Sequence, residues 1–352
     1  VTRCRTEAMG GHVGLCSACG EQEFRYHSCR DRHCPTCSAN RTRLWLLSRQ
    51  PRLLPVPHFQ VVFTLPDQLR PLARAAPRAV YNALMGAAAS TLQDALRTRY
   101  DARFAVTAVL HTWTREMHLH PHVHFMVSAG GLSLDDSRWV EVGDFLVSTR
   151  RLAPLFRGRA LARVRAALED ADVPLMEPLA SHVDDLLDRA ARKTWVIHID
   201  APDGRRPEGI LRYLARYLFR VAIDDRRVLH HDGETVTIRT RGADTTTMTG
   251  EAFVRRFVQH ALPKGLRKIR HYGLLAPGNV GGRLVRAMEL VAELGAVQPE
   301  VVEDREPAPD PTWDPLSDEP APDRCRSCGE RAMRWLVLAP VRGPPRSVWG
   351  AA

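Results

Sequence analysis

The stretch that decides the fold of this 352-residue chain is residues 118–127, His-Leu-His-Pro-His-Val-His-Phe-Met-Val. Its histidines occupy alternate positions, so on an extended strand they all point to one face. Imidazole is the commonest metal ligand in proteins, and the stretch therefore predicts a metal site on a strand. The alternative interpretation is a polar strand face whose histidines bind no metal. The following Ser128-Ala129-Gly130-Gly131 predicts that the strand ends there.

The residues before the histidines supply a partner strand. Residues 58–66 and 104–113 are rich in the apolar residues of strands, and Pro77 to Tyr100 carries apolar residues at helical spacing. Residues 114–117 form a short polar connection, so strand 104–113 and the histidine strand are expected to pair as an antiparallel hairpin.

This hairpin would bring His111 close to His122 and His124. His111 is therefore our candidate for the third ligand of a metal, and Glu116 and His120 compete with it. A histidine set with open positions suits a divalent cation. If phosphate oxygens of a substrate complete the shell, the cation can be Mg²⁺ or Mn²⁺.

The first 45 residues are rich in cysteine. Two C-x-x-C pairs separated by fourteen residues are typical of a structural zinc site with four thiolates, here Cys16, Cys19, Cys34 and Cys37. A second zinc site is left open, and its candidates are Cys4, His12, Cys29 and His33. Near the other end, Cys325 and Cys328 form a half-site that either donates two ligands to a zinc elsewhere or has no such role.

Between the two cysteine pairs, basic and aromatic residues alternate. Arg25, Arg30 and Arg32 lie close to Phe24 and Tyr26, a combination that suits gripping a nucleic-acid backbone and stacking on bases. The alternative is that the two aromatic rings only cover the zinc, as a small module requires.

Residues 208–221 predict a helix that carries two tyrosines. Tyr213 and Tyr217 lie one turn apart on one face, beside a parallel row of Arg212, Arg216 and Arg220. The spacing alone favours the interpretation of both tyrosines as core residues, because they adjoin an apolar stripe; the arginine row and the predicted metal site favour a functional role instead. The chain has no G-x-S-x-G, P-loop or G-x-G-x-x-G motif, so a tyrosine activated by arginines or a metal is the remaining candidate nucleophile.

Charge and composition limit the partners. The net charge is +10, which indicates a polyanionic partner, nucleic acid or an anionic membrane. Residues 298–323 hold nine acidic residues, seven prolines and one arginine, which is typical of a disordered linker, so the rest of the chain is still more basic. There is no long uncharged apolar run and no signal peptide, so we expect no membrane-spanning helix and a location in the cytoplasm. Of the two polyanions, nucleic acid rather than a membrane is the expected partner.

The composition shifts predict four regions. They are a zinc-binding, DNA-binding module over 1–50, a catalytic domain over 51–297, the acidic proline-rich linker over 298–323, and a tail with the C-x-x-C half-site over 324–352. Further helices are expected over 150–193, 249–261 and 281–295, and further strands over 195–199 and 235–240.

Taken together, the motifs resemble a known family. The His-Pro-His-Val-His segment at 120–124, the Tyr-Leu-Ala-Arg-Tyr segment at 213–217 and the N-terminal cysteine pairs, in this order, are similar to the two-tyrosine HUH transposases of rolling-circle insertion sequences, the IS91 type. The similarity extends to about residue 280, for example in Arg32-His33-Cys34-Pro35-Thr36-Cys37 and Leu262-Pro263-Lys264-Gly265.

The resemblance implies an α+β fold, the HUH endonuclease fold, with a central antiparallel sheet, flanking helices and a small zinc module. It implies nicking and rejoining of single-stranded DNA at the ends of the element through a 5′-phosphotyrosine, and strand separation left to a host helicase. His122 and His124 map onto the metal pair, and Tyr213 and Tyr217 onto the nucleophiles. Val221 stands where related enzymes place a polar ligand, which keeps His111 as the hypothesis for the third ligand.

Two other functions fit the same residues. One is a plasmid replication initiator or relaxase, which performs the same chemistry on a different DNA. The other is a non-catalytic, zinc-dependent DNA-binding regulator in which the histidines are structural. Neither the oligomeric state nor the order in which the tyrosines act follows from the motifs.

Overall fold

The computed structural model describes residues 3–29, 31, 34–170, 175–202, 209, 222–223, 227–295 and 323–340. The chain divides into two compact units. One combines Val1–Leu44 with Val301–Ala352, and the other is Trp45–Glu300. The C-terminal segment, expected as a separate tail, thus shares a unit with the N-terminal module.

The described strands are β1 Gly11–Cys16, β2 Gln22–Tyr26, β3 His58–Thr64, β4 Ala102–Trp113, β5 Leu119–Ser133, β6 Trp139–Glu141, β7 Ile197–Asp200, β8 Val228–His231, β9 Thr235–Arg239, β10 Thr245–Thr249, β11 Ile269–Gly273 and β12 Met333–Leu338. The described helices are α1 Pro35–Arg49, α2 Arg70–Ala75, α3 Pro77–Tyr100, α4 Thr149–Glu169, α5 Val183–Ala191, α6 Gly250–Val258 and α7 Arg283–Glu293. None of the described helices is long and apolar enough to cross a membrane.

The larger unit is built on an antiparallel sheet with the strand order β11-β4-β5-β3-β7, and β6 pairs with β5 beside it. β4 and β5 pair directly across the short connection, as predicted, and His111 lies opposite His122. This arrangement confirms the predicted α+β fold with a central antiparallel sheet and flanking helices. β5 lies inside the sheet, so its position is fixed from both sides.

Helices cover one face of the sheet with a continuous apolar core. Phe63, Phe125 and Phe156 are fully buried, and the ring of Phe63 packs edge to face on the other two at 5.4 and 4.9 Å between centroids. On β5, Val123, Phe125 and Val127 alternate with the histidines and enter this core. The alternation therefore turns the histidines toward the opposite face.

A smaller sheet of β8, β9 and β10 lies beside the tip of the β4–β5 hairpin. Ile238 and Met248 from this sheet form a buried cluster with Met117 from the hairpin tip, and Trp113 packs against that cluster. Gln259 Nε2 donates a hydrogen bond to the Met117 carbonyl oxygen at 2.9 Å. The hairpin tip is thus held in place next to the smaller sheet.

Two expectations about the elements were wrong. β5 does not stop at Ser128 but continues to Ser133. A Cβ atom at Gly130 would lie 2.5 Å from the Trp139 ring, and one at Gly131 would lie 2.8 Å from the Arg103 carbonyl oxygen. These glycines therefore serve close packing within the sheet rather than a strand end.

The helix expected over 150–193 is divided into α4 and α5. Pro178 lies between them, and proline lacks the backbone N–H that a continuous helix needs. The predicted tyrosine helix at 208–221 lies outside the described residues apart from Gly209, and so does the linker at 298–322.

The glycine packing gives a stability prediction. We expect Gly131→Ala to lower the free energy of unfolding by about 1–3 kcal/mol relative to Gly143→Ala, because only the first new methyl group meets packed backbone. Both changes reduce the entropy of the unfolded chain similarly, which makes Gly143→Ala a matched control. Urea unfolding measures the difference, and equal values for the two variants would contradict the close approach.

A second prediction concerns pH. His58 on β3 is fully buried, and burial lowers its pKa to about 4 while its Nδ1 donates a hydrogen bond to the Val56 carbonyl oxygen at 2.7 Å. The unfolded chain binds this proton more tightly than the folded one, so stability present above pH 6.5 is lost as the pH falls toward 4. We expect His58→Asn to remove up to about 3 kcal/mol of this pH-dependent loss. Urea unfolding of the metal-free protein at several pH values measures it, and parallel curves for both proteins would refute the assignment.

Candidate functional site

Three histidines converge on the sheet face opposite the helical core. His111 on β4 and His122 and His124 on β5 each offer a ring nitrogen, and these nitrogens lie within 4.8 Å of one another. The ring of His111 lies 5.3 Å from that of His122 and 4.4 Å from that of His124, measured between centroids. Of the three candidates for the third ligand, His111 thus joins the converging set, whereas Glu116 and His120 do not.

Hydrogen bonds orient the rings. His122 Nδ1 donates to the His120 carbonyl oxygen at 2.6 Å, which leaves its Nε2 as the nitrogen with a lone pair. His124 Nδ1 is buried and has no hydrogen-bond partner within the described part of the chain. A buried imidazole nitrogen without a partner is costly unless something binds it, and a metal ion fits that need.

The other two histidines of the stretch are not members of this three-histidine set, although the ring of His120 lies 5.2 Å from that of His122, measured between centroids. His120 Nδ1 is 3.4 Å from the guanidinium of Arg70. His118 Nε2 is 3.4 Å from the Glu116 carboxylate near the hairpin tip. Glu116 thus lies beside His118, whereas His120 lies between Arg70 and the ring of His122.

Burial keeps the clustered imidazoles neutral at physiological pH. It lowers the pKa of His122 to about 4 and that of His124 to about 3, and it lowers the pKa of His111 as well. A neutral imidazole presents the lone pair that a metal requires. The three rings therefore fit a divalent cation as a nitrogen donor set with room for oxygen ligands.

A cleft of about 540 Å³ opens beside the three rings. The hairpin and the segments next to the smaller sheet form its walls, with Arg115, Arg227 and Arg239 among the lining residues. Trp113 also lines the cleft, and its ring stacks on that of His111 at 5.5 Å. Guanidinium groups bind phosphate oxygens and aromatic rings stack on bases, so the cleft suits a single strand of nucleic acid.

Lys268 packs against Trp113, one of the residues that line the cleft. Its Nζ is 5.2 Å from the centroid of the Trp113 ring, and burial lowers its pKa to about 7. Sequence analysis did not identify Lys268 as a residue of the site.

The cysteines form two groups, and the predicted grouping was wrong. Cys34 and Cys37 lie with Cys4 and Cys29, whereas Cys16 and Cys19 lie with Cys325 and Cys328. Proximity in sequence misled the assignment, because strand pairing brings the C-terminal segment beside β1. His12 belongs to neither group and packs its ring on that of His27 at 5.1 Å, and His33 lies outside the described residues.

The sulfur spacing within each group is that of a zinc site. Cys4 and Cys29 sulfurs lie 3.6 and 3.8 Å from the sulfur of Cys37. Tetrahedral coordination with Zn–S bonds of about 2.3 Å separates the sulfurs by about 3.8 Å, whereas a disulfide bond is about 2.05 Å long.

The predicted DNA-contacting residues divide by position. Arg25 forms an ion pair with Glu23 at 2.6 Å and lies over the Trp335 ring at 4.9 Å, so its guanidinium is engaged inside the module. Arg30, Arg32, Arg212, Arg216 and Arg220 lie outside the described residues, as do Tyr213 and Tyr217. The arginines that line the cleft were missed, because residues distant in sequence form its walls and no local pattern marks them.

Two family models match the chain. One, described as "putative transposase" and of the two-tyrosine type, matches residues 105–281. The other, described as a transposase zinc-binding domain of the IS91 type, matches residues 1–65.

Curated relatives agree with these matches. "Putative transposase y4qJ" of Sinorhizobium fredii is 33% identical over 365 residues, covering 97% of this chain and 89% of that protein. The transposase for insertion sequence element IS801 of Pseudomonas savastanoi pv. phaseolicola is 30% identical over 302 residues, covering 81% of this chain and 71% of that protein. A solved structure of TrwC with a 27-mer DNA covers 67% of this chain and 73% of that chain at 15% identity, with a TM-score of 0.24.

The converging rings predict a metal-binding result. We expect His124→Asn to weaken Mn²⁺ binding at least about tenfold, because it removes one nitrogen from the set. The matched control is His198→Asn on β7, an exposed histidine whose Nε2 lies 2.7 Å from Asp200. Calorimetric titration of each protein with Mn²⁺ measures the affinities, and equal affinities for the two variants would contradict a metal site at the three rings.

Proposed function

We propose, from the premise that this chain belongs to the IS91 family of insertion-sequence transposases, that it nicks and rejoins single-stranded DNA at the ends of a rolling-circle element. The proposal rests on the observation that three neutral imidazoles and several arginines line the same cleft.

The cleft supports the choice of a nucleic-acid strand as substrate. Arg115, Arg227 and Arg239 can bind backbone phosphates along the lining, and Trp113 offers a ring beside the histidines. One of these arginines also connects the cleft walls, since Arg227 donates through Nε to the Arg239 carbonyl oxygen at 2.8 Å and through its guanidinium to the Arg115 carbonyl oxygen. A strand bound here would present a phosphate to His111, His122 and His124.

These three histidines would hold a divalent cation, Mg²⁺ or Mn²⁺. When bound, such an ion polarises a phosphoryl oxygen and stabilises the charge that develops on it. The histidine rings contribute fixed positions, because His111 and His122 are opposite each other in the β4–β5 ladder and β5 is also paired with β3 on its other side. Fixed positions of this kind lower the activation free energy, because less translational and rotational entropy is lost on reaching the transition state.

Tyr213 and Tyr217 are the proposed nucleophiles, on the strength of their motif. One tyrosine gives up its hydroxyl proton as its oxygen attacks the phosphorus, the bond from phosphorus to the 3′ oxygen breaks, and the departing 3′ oxygen takes up a proton. The 5′ end is then held as a phosphotyrosine ester. Attack by a 3′-hydroxyl on that ester reverses the step and releases the tyrosine, so the reaction needs no external energy source.

The experiment is an adduct assay. The protein is incubated with Mn²⁺ and a single-stranded oligonucleotide that carries the end of the element from its own genome. We expect a protein–DNA adduct that survives SDS, and we expect EDTA to prevent its formation. Replacing both tyrosines, Tyr213→Phe with Tyr217→Phe, should reduce the adduct at least about a hundredfold, since a phenyl ring cannot form the ester.

Tyr26→Phe serves as the control, because it removes a tyrosine hydroxyl from the zinc module and keeps the ring that stacks near Phe24. It should leave the adduct yield unchanged. If the wild-type protein binds the oligonucleotide but no adduct forms on either end of the element, the chain acts as a DNA-binding regulator and the proposal fails.

A further inference from the structure

The two ends of the chain carry the same short motif. Residues 16–21 read Cys-Ser-Ala-Cys-Gly-Glu and residues 325–330 read Cys-Arg-Ser-Cys-Gly-Glu. The family match to a zinc-binding domain ends at residue 65, so it does not include the second copy.

Both copies fold into the same backbone turn. In the first, Gly20 N–H donates to the Cys16 carbonyl oxygen and Cys16 N–H donates to the Glu21 carbonyl oxygen, both at 2.9 Å. In the second, Gly329 N–H donates to the Cys325 carbonyl oxygen at 2.9 Å and Cys325 N–H to the Glu330 carbonyl oxygen at 2.7 Å.

The glycines of the two turns also match. Gly20 has a φ of +78° and Gly329 a φ of +77°, in the left-handed region that glycine enters at little cost. Two turns with the same sequence pattern, the same hydrogen bonds and the same glycine conformation are two copies of one metal-binding loop.

Strand pairing brings the copies face to face. β12, which follows the second copy, pairs antiparallel with β1 in a register that sets Cys16 opposite Met333. Ser17 N–H donates to the Ala332 carbonyl oxygen at 2.9 Å. Cys16, Cys325 and Met333 are buried together beneath the turns, so the two loops are fixed relative to each other.

The sulfurs then meet at the spacing of a zinc site. Cys16 and Cys328 sulfurs lie 3.8 Å apart, and those of Cys19 and Cys325 lie 3.7 Å apart. A tetrahedral zinc with four thiolates requires about 3.8 Å, and a disulfide bond would require about 2.05 Å. We propose that Cys16, Cys19, Cys325 and Cys328 bind a second structural zinc ion, which joins the two ends of the chain into one zinc-ribbon module.

This zinc site assigns a structural role to the C-terminal half-site, Cys325 and Cys328. The module consists of short strands with a small apolar cluster, and modules of this size depend on a metal for stability. With the zinc in place, the C-terminal segment is anchored to β1. Without the C-terminal segment, Cys16 and Cys19 form only half of a ligand set.

The zinc content of the purified full chain tests the proposal. We expect two zinc ions per chain by elemental analysis, and one in the double variant Cys325→Ser with Cys328→Ser. The matched control is Ser327→Ala, in the same loop, which keeps both thiols and should retain two. A wild-type value of one, or an unchanged value in the double variant, would overturn the proposal.

A second measurement does not depend on the folding of a cysteine variant. A cleavage sequence for a site-specific protease is inserted between Pro309 and Asp310, and the chain is cut under reducing, non-denaturing conditions. We expect the C-terminal fragment to remain with the rest of the chain on gel filtration and to separate when a strong zinc chelator is added. Separation before the chelator, or retention after both zinc ions have been removed, would overturn the proposal.

Discussion

The register of β4 against β5 is the constraint on which the candidate site depends. It sets His111 opposite His122 and leaves His124 two residues further along the same face. Because side chains alternate along a strand, a slip of one residue in either strand would turn the histidines of that strand into the apolar core. The large buried residues on the other face, such as Phe125 and Leu110, resist that slip, since it would expose them. Core packing therefore fixes the positions of the metal-binding nitrogens.

The same logic explains how much of the fold could be predicted. The spacing of apolar residues gave the helix Pro77–Tyr100 with its observed bounds, and the alternation of the histidines gave the strand and its partner. Both signals are local, and both reflect which side of an element is buried. Gly130 and Gly131 misled because a glycine that ends a strand and a glycine that admits a neighbouring ring look alike in sequence. Only the position of Trp139, fixed by tertiary packing, distinguishes the two.

The site was predictable to the same degree. To predict the set of three histidines, it was enough to predict that β4 and β5 pair as a hairpin, and the local sequence pattern indicates that pairing. The arginines of the cleft needed the arrangement of the smaller sheet beside the hairpin tip, which no local pattern encodes. The cysteines show the limit most clearly, because adjacent C-x-x-C pairs suggested one site, whereas the repeated Cys-x-x-Cys-Gly-Glu motif was the signal that linked Cys16 to Cys325.

The donor atoms separate two kinds of metal chemistry in one chain. Thiolates are soft ligands that retain zinc, and four of them close its coordination shell, which suits a structural task. Three neutral imidazoles leave positions open toward a cleft, which suits an ion that must meet phosphate oxygens. The chain therefore does not need to discriminate between metals by affinity alone, because ligand type and ligand number already differ between the sites.

The energy of joining the chain ends shows why a metal is suited to that position. Cys19 and Cys325 are separated by 306 residues, and loop closure over such a length costs about 5 kcal/mol because the cost rises only with the logarithm of length. The β1–β12 ladder pairs six residues of each strand. At a net stabilisation of about 1 kcal/mol per hydrogen bond, the ladder contributes about as much free energy as loop closure costs. A structural zinc ion contributes about 10–16 kcal/mol of binding free energy, which exceeds the closure cost by a wide margin. The ladder sets the geometry of the junction, and the metal makes the junction stable.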